Sequence, residues 1–578
     1  MPQIKIIETK YKQKNKVYNV VYKVISNFYV YIRLDTITMK ITPRLLSITE
    51  VCIIILLACV PLFIVFPYRV NIFLSWEGAY RLSHGQIPFR DFGIPFGGAF
   101  WIIPAIFFKI FGSQMISLVK AQVFINVIAG LSFRSILSSL SVRRNFRFLS
   151  VLLFCISYSF FNFWPWYNHT VIVYELIALA FLFRFLFASR DSYKYVWLIG
   201  SAVFVCLSVF TKQDGGGMAV LICIFLLGYS CFLNRSWRAL VIYLVSVAIT
   251  LSIFIIPFLH YGFGYWFNHG QPPHTARISS FEIIDELLTS SQWIKFYFFL
   301  IAFLLLVRYQ KFKALYSDKS GSIFLLLTLT ILAEAAIFQV TSYTPPDNNI
   351  FFHSFAFAYI LSLIAEILPV SLDRPRFLAL CTFGILFWWS GVYWKYIQRI
   401  TDRVIPHHQE TISGTGENVV NRKTYMISTD TSEVPMNKWV QSDLPVFHKI
   451  LMPQPTVDGI NRLMRMNLVK EHKNLKVLNM SELTPLATEI PYALESNPEL
   501  PLWFHLGVGM FNRQAALYEK RIGDHYYDLI LFEYIPSLNN FYPFRIRESL
   551  KTHYSCVDSF VAPRRGEARG TIEIYVKP

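Results

Sequence analysis

The sequence predicts a multi-pass α-helical membrane protein, with about eleven crossings, that ends in a soluble α/β domain. Three observations carry this. Of the 578 residues 54% are apolar and only 16% charged, with a mean hydropathy of +0.42, which leaves too little polar surface to cover a soluble globule. Apolar runs of roughly 17 to 25 residues, enough to cross about 30 Å of hydrocarbon, recur from Val51 to Trp394. The basic residues between these runs fall on one side under a single threading of the chain.

Residues 1–49 read as a basic, Lys-rich cytoplasmic arm. The first apolar run, near Val51 to Pro67, is long and has no small-residue cleavage pattern, so it is expected to remain as an anchor. Met39, followed by Lys-Ile-Thr-Pro-Arg, is a second candidate start beside Met1. The threading turns on Gly97 to Gly112. If that run crossed, Arg143-Arg144-Arg147, Arg190/Lys194, Arg235/Arg238, Arg308/Lys311/Lys313/Lys319 and Arg374/Arg376 would all face outward. Its shortness, Pro104 and Lys109 fit an interfacial helix instead.

The crossings then lie near Val51 to Pro67, Ile116 to Leu140, Phe148 to Phe163, Thr170 to Ala188, Tyr195 to Phe210 and Gly216 to Leu233. They continue with Ala239 to Leu259, Trp293 to Val307, Ile323 to Val340, Ile350 to Val370 and Phe377 to Trp394. The predicted organisation is a membrane domain over 50–396 with its first outer loop at 70–114, a linker over 397–437 and an extracytoplasmic α/β domain over 438–578. In that domain Val457 to Lys473 and Phe544 to His553 read as helices. Lys476 to Met480, Tyr527 to Tyr534, Cys556 to Val561 and Thr571 to Val576 read as strands, the last two as a hairpin. The expected location is the cell (inner) membrane.

Several function classes drop out. The net charge of +18 sits in the arm and the inter-helix loops, as topology requires, and makes no Lys/Arg-aromatic groove for nucleic acid. Seven of the eight cysteines lie in apolar runs, and there is neither a disulfide framework nor a CxxC metal motif. No internal repeat supports a transporter of duplicated halves.

The chemistry concentrates after the anchor, in Ser75-Trp-Glu-Gly-Ala-Tyr80, His84-Gly-Gln-Ile-Pro-Phe-Arg-Asp-Phe92 and Phe108-Lys-Ile-Phe-Gly112, which put Glu77 and Asp91 at a membrane surface. This order of acid, Tyr, His-Gly turn, Pro-aromatic-Arg-Asp-Phe and surface helix resembles the GT-C superfamily of polyprenyl-phosphate-sugar-dependent glycosyltransferases, which includes protein O-mannosyltransferases and lipid A aminoarabinose transferases. Thr211-Lys-Gln213 is similar to an element of bacterial members. The resemblance covers roughly the first 220 residues. It implies an inverting transfer of a hexosyl or pentosyl group from an undecaprenyl- or dolichyl-phosphate donor to a hydroxyl of a lipid, glycan or protein acceptor on the outer face. The chain departs from the pattern at Trp76, where many members carry the first acid of a pair. That leaves Glu77 or Asp91 as base, or an inactive member.

Each part of such a reaction has candidates. Asp91 and Glu77 are the candidate catalytic bases, since a partly desolvated carboxylate is a better one. Arg90 can clamp a phosphate bidentately. Lys212 and Gln213 sit where free helix N–H groups meet the leaflet of the lipid phosphate, and Lys120 lies one turn into the second crossing. Tyr80, Trp166, Asp347 and His353 are candidate substrate contacts, and Glu175 and Glu334 need partners or water inside the membrane. The residues make no cofactor certain; a divalent ion among Glu77, Asp91 and Asp347 stays open. The alternatives are a transporter or flippase component for a lipid-linked sugar or polysaccharide, and a non-catalytic membrane scaffold. For Asp91 beside Arg90 and for Asp214 before three glycines, a local ion pair and a helix cap are the simpler readings.

Overall fold

The computed structural model describes residues 42–578 except 70–71, 160–161, 188–192, 262–279, 310–317, 343–350, 369–373, 395–437 (save 397 and 434), 472–473, 491, 503–510, 537–542 and 565–568. The N-terminal arm, nearly all of the linker and Asp347 therefore lie outside the described residues.

Among the described residues helices make up most of the membrane region. Met115–Ser139, Tyr167–Phe187, Gln213–Asn234, Arg238–Phe258, Lys319–Thr341 and the first apolar segment, Arg44–Phe63, are long and apolar enough to cross a bilayer. Phe281–Thr289 and Gln292–Arg308 make a seventh if that pair, bent by 81°, is one span. Lys194–Val209, Phe352–Ile367 and Pro375–Trp388 are shorter apolar helices. Arg144–Phe154 runs on into a π turn over Cys155–Ser159. The chain is thus a multi-pass helical membrane protein, and a helix, Ile102–Phe111, occupies the run for which an interfacial helix is expected.

Burial sorts these helices. Tyr167–Phe187 packs against Met115–Ser139, Lys194–Val209 and Gln213–Asn234 and buries most of its length. Arg238–Phe258 is 11% buried and shows Val241, Val245, Ile249 and Ile253 outward, an apolar stripe suited to lipid tails. The buried Glu50 of the first helix is held by Arg134 at 2.6 Å and Arg147 at 3.0 Å. Paired in this way, a charge is tolerated inside an apolar bundle.

The first helix differs from expectation at both ends. Thr42 caps it through its hydroxyl and Pro43 takes its first position, so it starts eight residues before Val51. Pro61 tightens its end into a 3₁₀ turn over Val60–Phe63. Phe66–Pro67, expected inside the membrane, is strand β1. It pairs in parallel with β3 (Ile450–Pro453), which pairs antiparallel with β2 (Trp439–Gln441). The Tyr68 N–H donates to the Leu451 carbonyl at 2.8 Å, and its hydroxyl donates to the Glu482 carbonyl. The end of the first helix is therefore built into the C-terminal domain.

That domain centres on a mixed sheet in the order β4 (Val477–Met480), β5 (Leu529–Tyr534), β7 (Thr571–Val576), β6 (Ser555–Val561), with β4 and β5 parallel. Side chains alternate between its faces, so Leu529, Leu531, Ile572 and Ile574 join one core with Val457, Ile460 and Leu463 of helix Gln454–Arg465. Ile530, Phe532 and Tyr575 join another with helices Phe511–Gly523 and Phe544–His553. The expected helix over Val457 to Lys473 breaks at Met466, whose extended backbone separates Gln454–Arg465 from Asn467–Glu471. At the base of the sheet Arg564, 6% exposed, holds the fully buried Glu482 and Glu533.

Removing that guanidinium strands two carboxylates in the core. Arg564→Met is expected to destabilise the domain by about 3–5 kcal/mol, read as a lower thermal midpoint and faster proteolysis of the C-terminal third in the detergent-solubilised protein.

Candidate functional site

Helix Ile72–Ser83 lies between the membrane bundle and the C-terminal domain. Its bundle side is fixed by two indoles: Trp76 donates to the Ser113 carbonyl at 3.0 Å, and Trp101 donates to the Leu74 carbonyl at 2.8 Å. Residues four apart pair on its other faces, as helix periodicity dictates. Tyr80 stacks on Trp76 with ring centroids 4.5 Å apart, and Arg81 bonds Glu77 at 2.9 Å.

Glu77, Tyr80 and Asp91 line one cavity of about 80 Å³ with Asn479, Ser481, Tyr492, Glu495 and Tyr518 of the C-terminal domain. It has room for a few waters. Arg81 links the two parts, donating to Gln86 Oε1 at 2.8 Å and to the Glu495 carbonyl at 3.0 Å, while Arg521 holds the Glu495 carboxylate at 2.7 Å. Both Arg81 contacts to Glu77 fall on Oε1, and Oε2 has no hydrogen-bond partner among the described residues. Burial pushes the Glu77 carboxyl above its ordinary value, and Arg81 offsets this only in part. The result is a carboxylate with one open oxygen and an enhanced affinity for a proton.

Asp91 is in the opposite condition. Its Oδ2 accepts from the Ile87 N–H at 2.7 Å and from Arg90 at 2.6 Å, and its Oδ1 accepts from the Ser496 hydroxyl at 2.8 Å. Burial raises its pKa, but the Arg90, Ile87 and Ser496 hydrogen bonds outweigh that and bring it below the ordinary value. The turn is tight: Phe89 is buried with φ at 68°, in the left-handed region, and its N–H donates to the Phe92 carbonyl at 2.8 Å. The backbone then joins the C-terminal domain, with Asn497 N–H to the Asp91 carbonyl at 2.7 Å, Gly93 N–H to Leu500 at 2.8 Å and Leu502 N–H to Gly93 at 3.0 Å. In this geometry Asp91 holds loop to domain, and Arg90, also bonded to the Gly85 carbonyl at 3.1 Å, is occupied by that turn.

Lys212 and Gln213 form a separate group. Lys212 pairs with Asp214 at 2.8 Å and lies over the rings of Phe338 and Tyr167, at 5.0 and 5.9 Å. Gln213 donates to the Pro95 carbonyl at 3.3 Å, and Trp166 stacks against Tyr167 at 4.5 Å. Close backbone approach accounts for two glycines here. A Cβ on Gly97 would fall 1.6 Å from the Phe210 carbonyl oxygen, and one on Gly216 would fall 2.3 Å from the Val209 backbone. Gly216 thus serves helix packing.

The remaining candidates are scattered. Lys120 lies over the Phe111 ring at 4.3 Å. His353 is buried among Phe352, Trp293 and Trp389, with Nδ1 3.0 Å from the Tyr297 hydroxyl. Among the described residues no group of three His, Cys, Asp or Glu could hold a metal ion. Sequence reading missed Arg81, Asn479, Tyr492, Glu495 and Ser496. Arg81 had a local signal, its i,i+4 spacing from Glu77; the others had none, because their partners lie 400 or so residues away.

Between Ile102, Phe124, Tyr174, Phe181 and Phe204 runs an apolar groove of about 560 Å³ with Arg184 on its lining. Tyr174, on its lining, donates its hydroxyl to the Ala99 carbonyl at 3.1 Å.

The two carboxylates should pull the pH dependence of stability in opposite directions. Glu77 binds its proton more tightly folded than unfolded, so its contribution is present below 4.5 and is lost as pH rises through the folded value. Asp91 binds its proton less tightly when folded, so its contribution is present above 3.8 and is lost as pH falls through the folded value. Melting curves should show the wild-type advantage over Glu77→Gln shrinking above pH 4.5. Asp91→Asn should cost about 2 kcal/mol at neutral pH and approach wild type in acid.

Comparison with known proteins adds little. No family model and no curated protein matches the chain. Among solved structures, ArnT from Cupriavidus metallidurans bound to undecaprenyl phosphate matches at 13% identity and a TM-score of 0.36, over 59% of this chain and 63% of that one.

Proposed function

We propose that the protein is a membrane glycosyltransferase that moves a sugar from a polyprenyl-phosphate donor to an acceptor hydroxyl at the outer face. The observation that carries this reading is Glu77, a largely but not fully buried carboxylate with raised proton affinity and an open Oε2, in a polar cavity between the membrane domain and the C-terminal domain. The acceptor oxygen attacks the anomeric carbon, its proton passes to Glu77 Oε2, and the bond to the phosphate breaks with inversion. Arg81 holds Glu77 in place, while Asp91, saturated by donors, positions the loop.

The small cavity has to widen to admit a sugar, and the hydrogen-bonded seam between loop and domain is the element that gives way. The apolar groove, about 560 Å³, would take part of an isoprenoid tail, and Lys212, on leaving Asp214, and Gln213 would meet the phosphate. Membrane lipid completes the setting, and the acceptor is a lipid, glycan or protein.

The β1–β3 pairing supports the proposed threading. It puts the exit of the first helix and the C-terminal domain on one side, so the crossings between Pro67 and Trp439 must be even in number. Ten is the number proposed for the helices from Met115–Ser139 to Pro375–Trp388, if Phe281–Thr289 and Gln292–Arg308 are one span and the shorter helices cross as well. With the first helix the proposed threading has eleven crossings, and with a cytoplasmic N-terminus it would put the domain outside.

A second reading, transport of a lipid-linked sugar or polysaccharide, is favoured by one observation: Glu175 and Glu334, from helices in the two halves of the membrane region, are both buried in its interior. Purified protein given a radiolabelled polyprenyl-phosphate sugar and an envelope acceptor fraction separates the two. Glu77→Gln should lower transfer by about 10²–10⁴-fold with intact folding, and Asp91→Asn should lose stability before chemistry. Undiminished transfer in Glu77→Gln removes the mechanism, and sugar-lipid flux into liposomes without transfer favours the second reading. In intact cells the exposed Cys556 should react with a membrane-impermeant maleimide, and Cys556→Ser should abolish that label.

A further inference from the structure

The walls of the interdomain cavity carry polar groups of two kinds. Some are satisfied within the protein: Ser481 donates to Asn479 Oδ1 at 2.6 Å, Asn479 donates to the Leu483 carbonyl at 3.1 Å, and Tyr80 donates to the Ala487 carbonyl at 3.3 Å. Three oxygens are left over. Glu77 Oε2 is one. The other two belong to the C-terminal domain: Glu495 Oε1 and Thr484 Oγ1 are buried and have no hydrogen-bond partner among the described residues, and Thr484 as a whole is 5% exposed. A buried polar atom in this condition is costly, and a ligand that supplies the missing partner relieves the cost.

Both residues are held in place by other atoms. Arg521 bonds the Glu495 carboxylate at 2.7 Å, and the Glu495 carbonyl accepts from Arg81 and from Gln86, both at 3.0 Å. Thr484 opens the 3₁₀ turn Thr484–Thr488, which packs against helix Ile72–Ser83. The charges are balanced as well. Glu77 has Arg81 at 2.9 Å, Glu495 has Arg521 at 2.7 Å and Asp91 has Arg90 at 2.6 Å. A charged ligand would find no unpaired opposite charge there and would lose its hydration without compensation. What the wall lacks is hydrogen-bond donors without net charge, and the hydroxyl groups of a polyol are such donors. Trp76, Tyr80, Tyr492 and Tyr518 line the same cavity and offer rings to the C–H faces of a sugar.

We infer that Glu495 and Thr484 hold hydroxyl groups neighbouring the one that attacks, so that the acceptor is an uncharged polyhydroxylated ring, a glycan, and not an isolated hydroxyl such as that of a protein serine. This rests on the reading of the cavity as the transfer site. The attacking hydroxyl faces Glu77 Oε2, and its neighbours reach Glu495 Oε1 and Thr484 Oγ1 as the cavity widens. A lone hydroxyl meets Glu77 and leaves the other two oxygens without partners, which is the source of the selection. Glu495 and Thr484 bind and select; the proton goes to Glu77.

Full-length protein in nanodiscs, given a radiolabelled polyprenyl-phosphate hexose, is offered methyl pyranosides, their monodeoxy analogues and an N-acetylated serine amide. The pyranosides should exceed the serine amide in kcat/KM by about tenfold or more. Glu495→Gln, which keeps an acceptor for Arg521, and Thr484→Val, which keeps the shape, should each raise the KM for the pyranoside about tenfold with kcat within about threefold of wild type, and each should lose the preference over a deoxy analogue. Equal use of the serine amide, or wild-type KM and deoxy preference in both folded variants, overturns the inference; loss of transfer in Glu77→Gln in the same assay then still leaves the transferase reading in place. Where wild type transfers nothing, saturation-transfer NMR with the same pyranosides decides. Signals that weaken in both variants sustain Glu495 and Thr484 as a polyol site, and absent or unchanged signals overturn it.

Discussion

The structure depends on a seam between two segments far apart in the chain. Asp91 and Ser496, hydrogen-bonded side chain to side chain, are separated by 405 positions. Around them the backbone of Asp91–Gly93 alternates donors and acceptors with Asn497–Leu502, and β1 adds to β3 nearby. Closing a loop of that length costs little more than closing a shorter one, because the entropy grows only with the logarithm of length. The helical bundle reduces even that cost by holding both ends on one side. With the seam in place, helix Ile72–Ser83 acquires a polar ceiling; without it, Glu77 would face water.

Two carboxylates fourteen positions apart on one short loop therefore reach opposite states. Donors meet every Asp91 oxygen, which favours the anion. Glu77 has one guanidinium on one oxygen, and burial favours its neutral form. Environments that push paired acids apart in this way are how one site separates holding from proton transfer. Lys212 shows the same contrast from the cationic side: its salt bridge and aromatic neighbours keep a charge near the membrane surface without exposing it.

The interior of the bundle follows a different rule. Glu50 lies deep in the apolar packing but faces two arginines, so its charge is neutralised by pairing. Glu175 and Glu334 are buried as well, and among the described residues neither has such a cation. The distinction lies in which neighbours the helix packing supplies, since all three are single acids in apolar runs.

By itself the sequence determined that the protein is helical and membrane-embedded, where nearly every helix runs, and that β4 to β7 alternate as strands do. Period and apolar length are local properties that a chain cannot hide. It also marked Glu77 and Asp91, since charge near an apolar run is costly wherever it stands. Tertiary structure alone decided that Phe66–Pro67 forms a strand, that Asp91 is a tether while Glu77 keeps an open oxygen, and that Asn479, Tyr492 and Glu495 wall their cavity. Those outcomes rest on partners 400 or so residues away, and no local pattern encodes a contact whose other half lies at the far end of the chain.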